Sequence, residues 1–289
     1  MQGTSSGISS RTKVNVSNIL DMKGREKISV ITAYDYSTAQ VCDRAGIEIL
    51  LVGDSAGMVV LGHPSTVRVG MQEMIMFCGA VARGTKHAMV VGDMPFGSYQ
   101  PGPTQAVENA VKLIKAGCDA VKLEGGTEIV APIKAIVDAG IPVMGHIGLM
   151  PQTSSLWEGY KLQGRTKEAA NRLIEEANAL ENTGVFSIVL EMVATEVADA
   201  ITNSVSIPTI GIGSGPRCDG QVLVLHDMLG LYQDIRPRFV KRYAELSKSI
   251  FDAVSTYSKD IKAGKFPEES NTFYMNKEEL EKWRSEAKK

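Results

Sequence analysis

Ile49–His63 reads I-L-L-V-G-D-S-A-G-M-V-V-L-G-H, and the reading of this stretch decides the fold. Ile49–Val52 is a short, unbroken apolar run, the pattern of a strand buried on both faces. It stops abruptly in Gly53, Asp54, Ser55, Ala56 and Gly57. An acid and a hydroxyl therefore follow a buried strand, between glycines that let other groups approach closely. In parallel α/β folds, ligands and reacting groups gather at that C-terminal end.

Outward from this stretch the same grammar repeats. Eight strand-like runs are present: Ile28–Tyr34, Ile49–Gly53, Met89–Asp93, Ala120–Glu124, Pro142–Ile147, Ser187–Met192, Pro208–Ile212 and Val222–Asp227. Helical patterns lie between them. Thr38–Ala45 stops at Gly46, Met71–Arg83 is rich in Met and Ala, and Thr104–Ala116 opens on a threonine cap and stops at Gly117. Thr127–Ala139 ends at Gly140, and Glu168–Thr183 ends at Gly184. Eight such units predict an α/β protein closed into a (β/α)8 barrel. Val14–Lys23 reads as a short amphipathic helix able to plug the barrel's bottom. Phe239–Ala263 reads as one or two closing helices, and Lys265–Lys289 as a polar tail with a short helix at Lys277–Ala287. The domain reading is a flexible N-terminus (1–13), one barrel domain (14–266) and a charged tail (267–289).

Bulk properties narrow the function classes. A 44% hydrophobic and 22% charged composition fits a globular protein with a large core. A formal net charge of -2 gives no global attraction to nucleic acid or an anionic membrane. Cys42, Cys78, Cys118 and Cys218 are scattered and form no C-x-x-C pair, which predicts reduced thiols in a cytoplasmic protein. Met1–Ser10 lacks the apolar stretch of a signal peptide and reads as a loose terminus. No apolar run approaches the roughly 20 residues of a membrane span.

The strand ends carry the chemistry. The first gives Thr32, Tyr34 and Asp35, the second Asp54 and Ser55, the third Asp93. The fourth gives Lys122 and Glu124, the fifth His146, the sixth Glu191, and the eighth His226 and Asp227. Asp54, Asp93 and Glu124 on adjacent strands crowd like charges unless a cation neutralises them. With no cysteine at these ends, a hard ion with oxygen ligands fits, and Mg²⁺ first. Lys122 and Glu124 are two apart on a strand and point the same way. A lysine beside a divalent metal makes sense if an anionic substrate lies between them, and a 2-oxo acid is such a substrate. Glu191, in an apolar strand, is placed to act as a base with a raised pKa.

Each residue alone has a plainer reading. Asp54 can cap the next turn, Asp93 can fix a turn before Pro95, and Lys122 with Glu124 can be a solvated pair. Glu191 can pair with an arginine, His146 can be a satisfied core histidine, and His63, His87 and His226 read as structural. Taken jointly, acids and bases at five successive strand ends are poorly explained as unrelated turns. Gly211–Gly215 (G-I-G-S-G) reads as a tight turn before it reads as a phosphate cradle, for it lacks the G-x-G-x-x-G spacing. Leu156–Thr166 reads as a lid or an ordinary long loop.

Longer motifs add a resemblance. T-A-Y-D-Y at Thr32–Tyr36, L-V-G-D-S-A-G-M at Leu51–Met58, D-M-P-F at Asp93–Phe96 and V-K-L-E-G-G at Val121–Gly126 are four of them. G-H-I-G-L-M-P-Q at Gly145–Gln152, G-Y-K-L-Q-G-R at Gly159–Arg165, V-L-E-M at Val189–Met192 and H-D-M-L-G at His226–Gly230 continue the series. In order and spacing, from about Lys13 to Phe266, the chain resembles the ketopantoate hydroxymethyltransferase family. The resemblance implies a (β/α)8 barrel of the phosphoenolpyruvate/pyruvate type. It implies transfer of a one-carbon unit from 5,10-methylenetetrahydrofolate to 3-methyl-2-oxobutanoate, giving ketopantoate for pantothenate and coenzyme A synthesis through a Mg²⁺-stabilised enolate. It implies Mg²⁺ on Asp54, Asp93 and Glu124, and the 2-oxo acid on Ser55 and Lys122 with Asp54 and Asp93. Glu191 becomes the proton acceptor and His146 a neighbouring substrate-site residue. It also implies a large homo-oligomer, often a decamer, and leaves the natural carrier open between folate and its analogues. Ala56, the Pro216–Cys218 loop and the longer charged tail depart from the family pattern. Two alternatives stand beside this reading: a Mg²⁺-dependent 2-oxo acid lyase or mutase of the same barrel type, and a non-catalytic binding barrel.

Overall fold

The computed structural model describes residues 11–153 and 161–287. Eight parallel strands close into a barrel in sequence order. They are β1 (Ile28–Thr32), β2 (Ile49–Val52), β3 (Met89–Asp93), β4 (Ala120–Glu124), β5 (Val143–Gly148), β6 (Ser187–Glu191), β7 (Thr209–Ile212) and β8 (Gly220–Leu223).

Side-chain alternation divides each strand between two cores. Inward-facing residues form a compact apolar bottom: Val30, Ile49, Met89, Val91, Ala120, Met144, Val189 and Ile210 belong to one buried cluster. Their outward-facing neighbours, such as Leu50, Val90, Val121, Val143 and Ile188, pack under the helices in the larger cluster. Two residues further along the inward rows the chemistry changes. Met89 and Val91 lead to Asp93, Ala120 leads to Lys122 and Glu124, Met144 leads to His146, and Val189 leads to Glu191. A period of two therefore places every one of these ionisable groups inside the barrel's upper half.

The bottom is closed by α1 (Val16–Asp21), whose Ile19 is fully buried in the inner cluster. Lys23, just past this helix, donates to Thr202 O at 2.7 Å and Asp219 Oδ2 at 2.9 Å, and Val14 N donates to His87 O at 2.7 Å. The expected plug is thus tied to the N-terminal ends of the barrel.

Several expected boundaries move. The helix after β3 is Pro103–Ala116, with Gly102 at its cap and Pro103 first; Thr104 does not cap it. Asp35 is the cap of Tyr36–Arg44, its carboxylate accepting from Ser37 N and Thr38 N, so it serves the helix and not the barrel mouth. The eighth strand ends at Leu223, and His226 and Asp227 lie on the short helix Leu225–Met228. A helix at Thr195–Ser204, not anticipated from the sequence, separates β6 from β7. The closing helix is Leu246–Lys262; none of its residues is buried, and Phe251 is 70% exposed. The tail carries the expected helix, at Lys277–Glu286.

Candidate active site

The strand register assembles the site. Asp93 on β3 is the ladder partner of Lys122 on β4, and Glu124 is the partner of His146 on β5. Laterally paired residues share a face, so a cross-strand ion pair forms directly. Lys122 Nζ donates to Asp93 Oδ1 at 2.7 Å and Oδ2 at 2.8 Å, and lies 3.7 Å from Glu124 Oε1. Lys122 and Glu124 are 4% and 5% exposed, which rules out a solvated pair.

Asp54 joins from the loop after β2. Its amide N–H donates to Asp93 Oδ2 at 3.3 Å. Its carboxylate does not cap the helical turn Ala56–Val59, where no side-chain cap is made. That turn packs closely on the next loop: a Cβ on Gly57 would stand 2.5 Å from Val69 Cγ2. Asp54, Asp93 and Glu124 each offer an oxygen within 4.8 Å of the others, and all three are buried.

Burial sets the electrostatics. It pushes Asp93 up to about 7, against the pull of Lys122 and with the charge of Asp54 adding to it. Glu124 is held well above the usual carboxylate range for the same reason. Burial also disfavours the Lys122 ammonium, but the charges of Asp93, Glu124 and Asp54 outweigh it and hold the amine above its ordinary value. Three carboxylates with one ammonium leave negative charge uncompensated in a buried space. A set of carboxylate oxygens without thiol suits a hard divalent cation such as Mg²⁺.

His146 sits between two acids. Nδ1 is 3.6 Å from Glu124 Oε1 and Nε2 is 3.4 Å from Glu191 Oε2, and among the described residues neither nitrogen completes a hydrogen bond. Burial, with the charge of Lys122 behind it, holds this imidazole neutral well below its ordinary range. Among the described residues Glu191 has no arginine partner; burial pushes its carboxyl up to about 8. Ser55 Oγ is 2.8 Å from the hydroxyl oxygen of Tyr34, which burial keeps protonated. Asp54, Ser55, Asp93, Lys122, Glu124, His146 and Glu191 all line one cavity of about 380 Å³.

Two residues without an expected role organise this set. Gln152 is fully buried. Its amide Nε2 donates to Asp54 Oδ2 and to Met94 O, each at 3.0 Å, and its backbone N–H donates to Glu124 Oε2 at 3.0 Å. Tyr99, also fully buried, accepts from Glu124 N at 3.2 Å; its hydroxyl lies 2.8 Å from Glu124 O and 2.9 Å from Gln152 Oε1. Neither residue is charged and neither ends a strand, so no pattern marks them beyond the M-P-Q at the end of one quoted motif. In the Gly211–Gly215 segment, Gly211 and Ile212 end β7 and the chain then bends, with Gly213 and Gly215 left-handed at φ 66° and 84°. Its buried Ser214 donates to Leu190 O at 2.7 Å and accepts from Val193 N at 3.0 Å, bracing the end of β6 beside Glu191. Of the stretch read as a lid, 156–160 lies outside the described residues. Gln163, in its described part, pairs its backbone with Met192 and Ala194.

A family model described as ketopantoate hydroxymethyltransferase matches residues 13–269. The 3-methyl-2-oxobutanoate hydroxymethyltransferase of Nitrosopumilus maritimus (strain SCM1) is 56% identical over 94% of this chain and 98% of its own length. The protein of the same name from Cenarchaeum symbiosum (strain A) is 58% identical over 88% of this chain and 97% of its own. Among solved structures, phosphonopyruvate hydrolase superposes with a TM-score of 0.61 at 12% identity, covering 95% of this chain and 96% of that one. That likeness speaks for the barrel alone.

Proposed function

The chain belongs to the ketopantoate hydroxymethyltransferase family, and on that premise we propose that it moves a one-carbon unit from a 5,10-methylenetetrahydrofolate-type carrier to C3 of 3-methyl-2-oxobutanoate. The product is ketopantoate, which places the enzyme in pantothenate and coenzyme A synthesis. The observation that carries the reading is a single cavity holding three clustered carboxylates, a buried lysine and a separate carboxylic acid.

Asp54, Asp93 and Glu124 are the residues that would hold Mg²⁺. The chemistry Mg²⁺ supplies when bound is Lewis-acid polarisation of the keto group, which makes the C3 proton more acidic. Lys122, with Ser55, faces the substrate's carboxylate and offsets its charge. Glu191 takes the C3 proton on a carboxylate oxygen. The neutral imidazole of His146 flanks it, with Nε2 3.4 Å from its Oε2. The electron pair left at C3 forms the new C–C bond to the carrier's methylene carbon. That attack breaks one of the two C–N bonds at the methylene carbon, water displaces the second nitrogen and supplies the hydroxyl, and the proton from C3 and one from water end on the carrier's two amines.

The exposed apolar side of Leu246–Lys262, with Ile250, Phe251, Val254 and Tyr257, supports assembly into a homo-oligomer. Four unpaired, buried thiols support a cytoplasmic location. A lyase or mutase activity has only the shared barrel in its favour. The test is mass spectrometry of purified protein with Mg²⁺, 3-methyl-2-oxobutanoate and methylenetetrahydrofolate. Ketopantoate is expected, and its formation should stop with chelator. C3 exchange in heavy water without product would reject the folate carrier but keep enolisation. Folded protein giving neither would overturn the transferase reading.

A further inference from the structure

Ser55 holds the cap position of the helical turn Ala56–Val59, where a serine hydroxyl ordinarily accepts from the backbone of the turn. Here it makes no such bond. The residue is itself helical, at φ -51° and ψ -20°, and its Oγ lies 2.8 Å from the hydroxyl oxygen of Tyr34 instead. Among the described residues Ser55 Oγ has no other hydrogen-bond partner, and Ser55 lines the cavity that holds Asp54, Lys122 and Glu191.

Tyr34 is fixed in place. It is 3% exposed, and its ring stands edge-on to Phe77 at 6.5 Å and tilted against His226 at 5.4 Å. Burial holds its phenol protonated well above its ordinary range, and the charges of Asp54 and Asp227 add to that. The hydroxyl therefore has one proton to give and lone pairs to accept with. The Thr32 hydroxyl flanks the same phenol. Thr32 Oγ1 in turn accepts from Leu225 N at 2.9 Å, the first amide of the short helix Leu225–Met228.

Counting protons gives this chain of hydroxyls a direction. If Ser55 donates to Tyr34 and Tyr34 to Thr32, Thr32 accepts twice, Ser55 accepts nothing, and the Ser55 lone pairs are left to the cavity, where they repel an anion. If Thr32 donates to Tyr34 and Tyr34 to Ser55, each hydroxyl accepts one bond and donates one, and the Ser55 proton is left to the cavity, where an anion accepts it. Bonds aligned head to tail polarise one another, so the Leu225 amide at the far end strengthens the last donor. An anionic ligand selects the second arrangement.

We propose that Tyr34 is a positioning residue for the 2-oxo acid: its hydroxyl donates to Ser55 Oγ and so turns the Ser55 proton toward the substrate's carboxylate. The identity of that ligand rests on the transferase reading above. Tyr34 thereby acts through Ser55 alone, whereas Lys122 meets the same anion with charge.

Calorimetry on the full chain with Mg²⁺ and 3-methyl-2-oxobutanoate tests the assignment. Tyr34→Phe keeps the ring against Phe77 and His226 and removes only the hydroxyl. It should weaken oxo-acid binding about 3–10-fold, the range of one neutral hydrogen bond, and Ser55→Ala should weaken it by roughly 10–100-fold, the range of a bond to a charged group. In the Ser55→Ala background, Tyr34→Phe should cost less than about twofold more. Thr32→Ser, which keeps the hydroxyl, should stay within about twofold of wild type, and Thr32→Val should lose about threefold or more. In turnover the Tyr34→Phe loss should appear in KM and leave kcat within about twofold, because the carboxylate is held alike in substrate and transition state. Tyr34→Phe affinity within about twofold of wild type overturns the proposal. So does an equal loss with and without the Ser55 hydroxyl, which is what a tyrosine needed only for packing would give. Wild-type protein that binds the oxo acid but forms no ketopantoate rejects the transferase reading, and the affinities still decide Tyr34. Wild-type protein that forms ketopantoate while Tyr34→Phe binds and turns over unchanged rejects the positioning role alone. Wild-type protein that binds no oxo acid overturns both.

Discussion

In the proposed reaction Glu191 is the base, so its protonation state should decide turnover. Its carboxyl is raised by burial, so the free acid dominates below about pH 8 and the base form appears above it. The expected kcat/KM therefore rises with pH toward about 8 and then levels. Mg²⁺ shifts the inflexion downward, because it offsets the Asp54 and Asp93 charges that help raise the group. Glu191→Gln should lower kcat by roughly 10²–10⁴-fold and abolish the inflexion; near-normal turnover would remove Glu191 from the role of base. Gln152 acts at the same scale through its neighbours. It bonds one oxygen of Asp54 and one of Glu124, turning the remaining lone pairs toward the cavity. Gln152→Leu should keep the fold but weaken Mn²⁺ binding, followed by electron paramagnetic resonance, by about 10–100-fold. Unchanged Mn²⁺ affinity would mean that the carboxylates position themselves.

At the scale of the element, the strand ends must be placed closely, and glycine does this at one junction. Gly148 closes β5 at φ 97°, and a Cβ there would stand 2.4 Å from the carbonyl oxygen of Glu191. Backbone, not a flexible side chain, would have to move. Gly148→Ala should thus lower stability by about 1–3 kcal/mol and also depress kcat, because β6 carries the proposed base, Glu191. Gly140 shares the left-handed conformation, at φ 82°, but a Cβ there meets nothing within 4 Å. Gly140→Ala is the control: thermal melting should fall less, and kcat should hold. Equal melting losses with unchanged kcat in both would show that the β5–β6 contact does not position Glu191.

For the molecule as a whole, the site is an electrostatic cost that a bound cation would relieve. Asp54, Asp93 and Glu124 are buried together, with Lys122 as the ammonium among them. A ligand that binds only the folded state stabilises it by RT ln(1 + [L]/Kd), about 2.7 kcal/mol at a hundredfold excess over Kd. Saturating Mg²⁺ should accordingly raise the melting temperature, chelator should reverse the rise, and Asp54→Asn should remove most of it. A melting temperature indifferent to Mg²⁺ in the wild type would argue against the carboxylates as its ligands. The barrel bears this cost because its lower half is apolar and plugged by Ile19, so cohesion and chemistry occupy different layers of one core.

The sequence by itself determined the barrel and the list of charged strand ends. Both follow from short-range rules: apolar runs of strand length alternate with capped helices, and a period of two carries Asp93, Lys122, Glu124, His146 and Glu191 onto the inner row. The tertiary structure decided what depends on long-range approach. Asp35 and Asp54 each follow a buried strand and precede a helical turn, yet only the fold separates the helix cap from the buried member of the carboxylate cluster. Gln152 and Tyr99 were invisible for the same reason. They are neutral residues whose importance lies in bonds to partners 25 to 98 positions away. His226 and Asp227 moved off the eighth strand because their helical turn is fixed by contacts outside it, among them the bond from Leu225 N to Thr32 Oγ1 at 2.9 Å. Local pattern specifies which way a side chain points along its own element; only the closed barrel specifies what it meets there.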